Sequence, residues 1–200
     1  MRHRKRGRVL GRCPSHRKAM FKNLASALFL TEQDPELLDN APKVKGRITT
    51  TLHKAKEARP LIEKCITIAK QVVQTERDAS ELGTTARRSS DEWKAWRKSP
   101  KWNQWAKAMA PAVAGRRRLL QMLGDKTAVK LLVAEVAPRF VDRSGGYTRI
   151  LRLSKPRLGD AGTRAILELV GSNDRQVKKA QRPAFSSDDQ ASSASATAES

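Results

Sequence analysis

Eight cationic side chains, Arg2, Arg4, Lys5, Arg6, Arg8, Arg12, Arg17 and Lys18, crowd the first eighteen residues, and no carboxylate side chain appears before Glu32. Such a segment cannot form a core element. It repels itself and has little apolar surface to bury, so a polyanion is needed to organise it in the working state. Guanidinium groups suit phosphate in particular, because they stay charged and present paired planar donors that bridge backbone oxygens. His3 and His16 lie in the same stretch, and both can donate to phosphate or stack on a base. The first reading is therefore a basic arm, residues 1–15, directed at nucleic acid.

The rest of the chain agrees in sign. Over 200 residues the formal net charge is +21, which opposes compaction of the isolated protein and attracts phosphate backbones from a distance. The hydrophobic fraction, 38%, suffices for one modest core if part of the chain stays outside it. A membrane fits less well, since no stretch approaches the roughly 18 apolar residues of a spanning helix. The N-terminus also lacks the apolar run of about 7–15 residues that marks a secretory signal. Cys13 and Cys65 are too few and too far apart for a disulfide framework, in keeping with a reducing cytosol.

Helical spacing of Met20, Leu24, Ala27 and Leu28 predicts a first helix capped by Ser15. Residues 31–45 hold Asp34, Pro35, Asn40 and Pro42, and read as an irregular loop with one short turn. The β-branched run in residues 46–51 predicts a strand, and the stripe Ala55, Ala58, Ile62, Cys65, Ile66, Ala69 and Val73 predicts a helix from Leu52 to Val73, capped by Thr51 and with Pro60 as a candidate site of a kink. Residues 74–90 turn polar. Residues 90–114 then carry Trp93, Trp96, Trp102 and Trp105 in two helices broken at Ser99-Pro100. Gly124-Asp125 opens a helix that Pro138 is expected to end, and β-prone runs at 147–154 and 163–170 predict an antiparallel hairpin. From residue 172 the composition becomes too polar to offset the entropy of ordering, so 172–200 is expected to be a disordered tail.

Two further features invite chemistry. Asp142-Arg143-Ser144-Gly145-Gly146-Tyr147-Thr148-Arg149 combines a glycine pair, which lets backbone approach a ligand, with two arginines and an aromatic ring. It reads equally as a backbone clamp for nucleic acid and as a helix-to-strand turn with Tyr147 in the core. Strand alternation puts Tyr147, Arg149 and Leu151 on one face and Thr148, Ile150 and Arg152 on the other. The tryptophans, interleaved with Lys94, Arg97, Lys98, Lys101 and Lys107, read either as base-stacking platforms or, more commonly for such a stripe, as a small core.

Catalysis finds no foothold. Cys13 and His16 have the spacing of half a zinc site, but only His3 and His53 remain as further histidines, so no metal site is expected. No phosphate-binding Gly-x-x-x-x-Gly-Lys-Ser/Thr loop, His-Glu-x-x-His or Gly-x-Ser-x-Gly occurs, and no cofactor or small-molecule substrate is expected.

Several motifs in order then suggest a family. Met1-Arg2-His3-Arg4-Lys5, Gly7-Arg8, Leu10, Arg12, Ser15-His16-Arg17 and Ala19-Met20 open the series. Gly46-Arg47-Ile48-Thr49-Thr50-Thr51, Lys54-Ala55-Lys56-Glu57 and Ile66-Thr67-Ile68-Ala69-Lys70 continue it. The series is densest at Pro138-Arg139-Phe140, Arg143 and Gly145-Gly146-Tyr147-Thr148-Arg149-Ile150-Leu151, and closes with Gly159-Asp160 and Ile166-Leu167-Glu168-Leu169-Val170. In these the chain resembles the bacterial large-subunit ribosomal protein L17 family. Since the resemblance starts at Met1, this end is expected to be mature.

The resemblance implies an α/β (α+β) fold of two layers, with helices packed on a small mixed three-stranded sheet, as one domain over residues 1–171. It implies a non-enzymatic, cytoplasmic role in the ribosome, with large-subunit ribosomal RNA and neighbouring proteins near the peptide tunnel exit as partners. The RNA-binding set it implies is Arg2, His3, Arg4, Lys5, Arg6, Arg8, Arg12, His16, Arg17 and Lys18, then Arg139, Arg143, Gly145, Gly146, Tyr147, Thr148 and Arg149. The loop at 31–44, the tryptophan-rich segment 71–113 and the tail depart from the family pattern. The segment 71–113 is expected to form a helical hairpin whose tryptophans pack on the domain and whose basic face meets RNA or an adjacent protein. The rival reading is a DNA-binding nucleoid or regulatory protein using the same cations; an RNA-modifying enzyme ranks last.

Overall fold

The structure, a computed structural model, describes residues 7–37 and 42–171. Residues 1–6 and 172–200, and with them the expected outer arm and disordered tail, lie outside the described residues.

The first helix, α1, spans Pro14–Leu30. Cys13 rather than Ser15 is its N-cap, because Pro14 supplies the pre-set φ of a first helical position and leaves Ser15 already inside. Its buried face carries Ala25, Ser26, Leu28 and Phe29, while Ala27 is exposed. A short 3-10 turn, Pro35–Leu37, falls in the expected loop.

Strand β1, Arg47–Thr51, runs without a linker into α2, Leu52–Ser80. Thr51 occupies the N-cap position but makes no side-chain cap bond; the Leu52 N–H donates to Thr163 O at 3.0 Å. Helix α2 outruns the expected end at Val73. Two helices follow, α3 at Asp91–Lys98 and α4 at Pro100–Leu123, and α4 packs along α2, with Ala79 buried in a stretch that otherwise stays exposed or half-buried. Tertiary burial of Val72, Val73 and Ala79 outweighs the local polarity. The break at Ser99-Pro100 stands where expected, and the Ser90 hydroxyl caps α3 by accepting from Trp93 N–H at 3.2 Å. The arginine triplet 116–118 lies inside α4.

Gly124 ends α4 in the left-handed region at φ 82°, and the Asp125 carboxylate then caps α5, Lys126–Leu131, through the N–H groups of Thr127 and Ala128. The helix does not stop before Pro138. It widens to π spacing over Leu132–Val136 and closes with one more turn, α6, Ala137–Arg139. The Ala137 N–H reaches back five residues to Leu132 O, so the ladder shifts register just ahead of the proline, which lacks a donor to continue it.

Strands β2, Thr148–Arg152, and β3, Arg164–Leu169, complete a sheet of order β1-β3-β2. The expected mixed sheet is instead antiparallel throughout. Strands β1 and β2 do run parallel to each other, but β3 lies between them, so every hydrogen-bonded pair is antiparallel. Register places Ile48, Leu167 and Ile150 in one row facing the helices, and Arg47, Glu168 and Arg149 in a row on the opposite face. The core lies between α2 and its neighbours, where Leu28, Phe29, Ile62, Ile66, Leu119, Leu132, Val136 and Leu167 are all sealed from water. Full burial of each such side chain is worth about 1.5–3 kcal/mol.

Candidate nucleic-acid interface

Arg2, His3, Arg4, Lys5 and Arg6 lie outside the described residues. From Gly7 onward the root of the arm is tied down. Gly7, Leu10 and Gly11 take positive φ values of 88°, 55° and 62°, which fold the segment into tight turns. The Arg12 N–H bonds to Val9 O, the Arg17 side chain donates to the same carbonyl at 3.5 Å, and Arg8 pairs with Glu57 of α2 at 3.5 Å. His16 and Lys18 remain exposed on the first turns of α1, with Arg17 and Lys22 half-buried beside them. Arg12 is also half-buried, and its Nε is enclosed with no hydrogen-bond partner among the described residues. Such a donor is costly unless a ligand atom completes it.

The glycine turn has a different build. Tyr147 is only 2% exposed; its ring packs on Phe140 at 5.3 Å, and the Lys70 ammonium lies 5.4 Å from the ring centroid. Lys70 also donates to Arg143 O at 2.5 Å, bracing the turn from α2. Thr148 is likewise buried: its hydroxyl donates to Glu63 at 2.8 Å, and its carbonyl accepts from Arg59 at 3.1 Å. Sequence alternation puts Tyr147 on the outer face with Arg149, but residue 147 precedes the strand and its ring turns inward. Tyr147 and Thr148 are therefore anchors of the turn and offer no side-chain surface. What the turn exposes is backbone, at Gly145 and at Gly146, whose φ of 65° excludes most other residues. The Arg143 side chain stays half-buried beside it.

Two predicted arginines are drawn into ion pairs. Arg139 donates to Glu32 at 2.6 Å, and that carboxylate is 3% exposed. Arg149 and Arg47 grip Glu168 from either side across the sheet, at 2.6 and 2.7 Å. Both arginines keep about half their surface in water, so each holds a structural partner while presenting charge outward. The arm root and the glycine turn do not merge; α2 is their common support, through Glu57 for the arm and Arg59, Glu63 and Lys70 for the turn.

Other cations join the surface without having been singled out in sequence. Arg117 and Arg118 stand exposed on α4, while Arg116 is held bidentately by Glu76 at 2.6 and 2.9 Å. The triplet itself was the available signal. A cleft of about 400 Å³ collects Thr49, Thr50, Thr51, Lys54, Arg157 and Arg164 from β1, α2, the hairpin loop and β3. Only the register of β1 against β3 assembles it, so no local pattern announces it. Among the described residues no three of His, Cys, Asp and Glu gather as a metal site would need, and no helix is long and apolar enough to cross a membrane.

Comparison with known proteins decides the family. The sequence pattern of the family described as Ribosomal protein L17 matches residues 20–170. The chain belongs to the ribosomal protein L17 family. It is 62% identical over 188 residues to a Large ribosomal subunit protein bL17 of Rhodopirellula baltica, covering 94% of this chain and 90% of that one. Identity to the protein of the same name in Halothermothrix orenii is 37%, over 82% of this chain and 96% of that one. In Opitutus terrae the corresponding figures are 35%, 90% and 80%. The family is structural and not enzymatic, in line with the dispersed carboxylates of its basic surface here.

Proposed function

We propose that this chain is a structural constituent of the bacterial large ribosomal subunit, in the cytoplasm, that binds ribosomal RNA and supports translation. The observation that carries the reading is the placement of charge. Among the described residues the two most deeply buried carboxylates, Glu32 and Glu168, already hold arginine partners, whereas His16, Lys18, Arg117 and Arg118 are exposed.

The arm, Met1 to Ser15, threads between RNA segments, with Arg12 Nε completing its hydrogen bond on an RNA oxygen. The glycine turn lets a sugar-phosphate backbone lie against Gly145 and Gly146, flanked by Arg143 and Arg149. Neighbouring large-subunit proteins near the exit of the peptide tunnel complete the setting. Residues 71–113 are an insertion on a domain that spans 1–171, and 172–200 is a tail.

The test is sedimentation of a cell lysate at moderate and at high salt, with and without ribonuclease. The chain is expected with large subunits, released by RNA digestion. Retention on DNA after ribonuclease would favour the nucleoid reading, and normal entry of a variant lacking the first eighteen residues would remove the arm from its role.

A further inference from the structure

The loop after α2, α3 and the first turns of α4 enclose an open cleft of about 650 Å³, inside the range of about 300–1,000 Å³ typical of ligand sites. All four tryptophans of the chain line it. Trp96, Trp102 and Trp105 hold one another with ring centroids 5.2, 5.6 and 5.0 Å apart, yet none of the four is fully buried and none belongs to the hydrophobic core. The rings pack on each other around a space, and Trp105 also reaches the end of α2 beside Glu76 and Ser80. The Arg97 guanidinium lies 5.2 Å from the Trp93 ring and 5.4 Å from that of Trp102, and Arg88 lines the same cleft.

No carboxylate lines it. Its chemistry is flat aromatic faces, two guanidinium groups and the hydroxyls of Thr84 and Thr85. Residues 81–110 carry seven Lys and Arg against three Asp and Glu, so the surroundings attract an anion as well. A ligand that meets all of this needs an extended flat face and a negative charge close to it.

We infer that this cleft takes an unpaired nucleotide of RNA, its base stacked on the indoles and its phosphates met by Arg88 and Arg97. The inference rests on the reading that the chain works against RNA. Stacking on indole tolerates any base, because every base has a π face, and the guanidiniums anchor the backbone on either side. An acidic protein segment would satisfy the two arginines but leave the indole faces without a flat partner.

Because every tryptophan lies here, intrinsic fluorescence of the full chain reads this site and ignores the arm. The probes are short single strands of oligouridylate and oligoadenylate, a fully paired RNA duplex, inorganic polyphosphate and a glutamate-rich peptide. Single strands are expected to quench the emission saturably, and the other three to leave it unchanged. Trp93→Ala, which spares the three-ring cluster, is expected to weaken the quenching affinity about tenfold, the loss of one base stack, with circular dichroism unchanged. Arg97→Gln is expected to weaken it and flatten its salt dependence. If a labelled single strand binds by anisotropy while the tryptophan emission stays constant, the cleft inference fails and the RNA-binding reading stands. Equal quenching by polyphosphate or duplex, or quenching by the acidic peptide alone, also overturns it, and if no RNA binds at all the reading beneath it falls too. Should either variant misfold, the contrast among probes on the unmodified chain still decides.

Discussion

Glu32 and Glu168 sit where water hardly reaches, and a carboxylate in such a place stays charged only if a partner replaces its hydration. Arg139 does this for Glu32, so removing that guanidinium strands a buried charge. Arg139→Ala is expected to cost about 3 kcal/mol, at the low end for breaking a buried pair because the arginine itself is half in water. Urea denaturation measures it; an unchanged midpoint would mean Arg139 is free for RNA after all. Arg149→Ala should cost less, because Arg47 still holds Glu168.

The two cysteines make the same contrast between inside and outside. Burial pushes the Cys65 thiol up to about 12, whereas a hydrogen bond with the Ser15 hydroxyl lowers that of exposed Cys13. Iodoacetamide at neutral pH should therefore label Cys13 and spare Cys65 until the chain unfolds, with mass spectrometry as the readout. Since the folded Cys65 value lies above the unfolded 9.0, its contribution to stability is complete below pH 9 and is lost as pH rises toward 12. Bound RNA should shield Cys13 at the root of the arm, and undiminished labelling in the complex would count against the arm's placement.

At the scale of elements, close helix packing decides more than local preference. Gly115 of α4 faces α2 so tightly that an added Cβ would lie 2.4 Å from Val72 Cγ2. Gly115→Ala gains up to about 1 kcal/mol of helix propensity, but overpacking against a β-branched side chain costs about 1–3 kcal/mol. At so short a distance the clash wins, and the melting temperature should fall; a rise would show that α2 and α4 can move apart. The same contact explains which elements are legible in sequence. The apolar stripe of α2 up to Val73 is a local pattern and reads correctly, as do the Ser99-Pro100 break and the opening of a helix at Gly124-Asp125. The last turns of α2 and the arginine-bearing part of α4 lie along each other, tied by the Gly115 contact with Val72 and the Arg116–Glu76 pair, which a single-segment pattern cannot carry. Likewise the helical spacing of the tryptophans was visible, but that they enclose a cleft depends on how α3 folds back on α4. The trio Arg47, Glu168 and Arg149 is invisible until register aligns the hairpin strands β2 and β3 with β1, which lies about a hundred residues earlier in the chain, whereas the glycine turn announces itself. The inward turn of Tyr147 does not, since strand alternation fails one residue before the strand begins.

At the scale of the whole molecule, a charge of +21 sets two salt dependences of opposite sign. In the free chain the cations repel, and screening shortens that repulsion from a range of about 10 Å at 0.1 M salt to about 3 Å at 1 M. The core is modest and the charge lies on the surface, so relief of repulsion should outweigh the weakening of exposed ion pairs, each worth about 0–1 kcal/mol. The melting temperature of the free protein should therefore rise with sodium chloride. Binding to RNA should instead weaken, with a log-log slope of roughly −0.7 to −0.9 for each phosphate neutralised. Exchanging Arg117 and Arg118 together for glutamine removes two exposed cations that have no ion-pair partner among the described residues. Folding stability should then hold or improve, while the RNA salt slope flattens by about 1.4–1.8 if both meet phosphate. Melting curves and filter binding across a salt series separate the effects. A slope unchanged by the double variant would place that face of α4 away from RNA, and a free protein destabilised by salt would show that its surface ion pairs outweigh the repulsion.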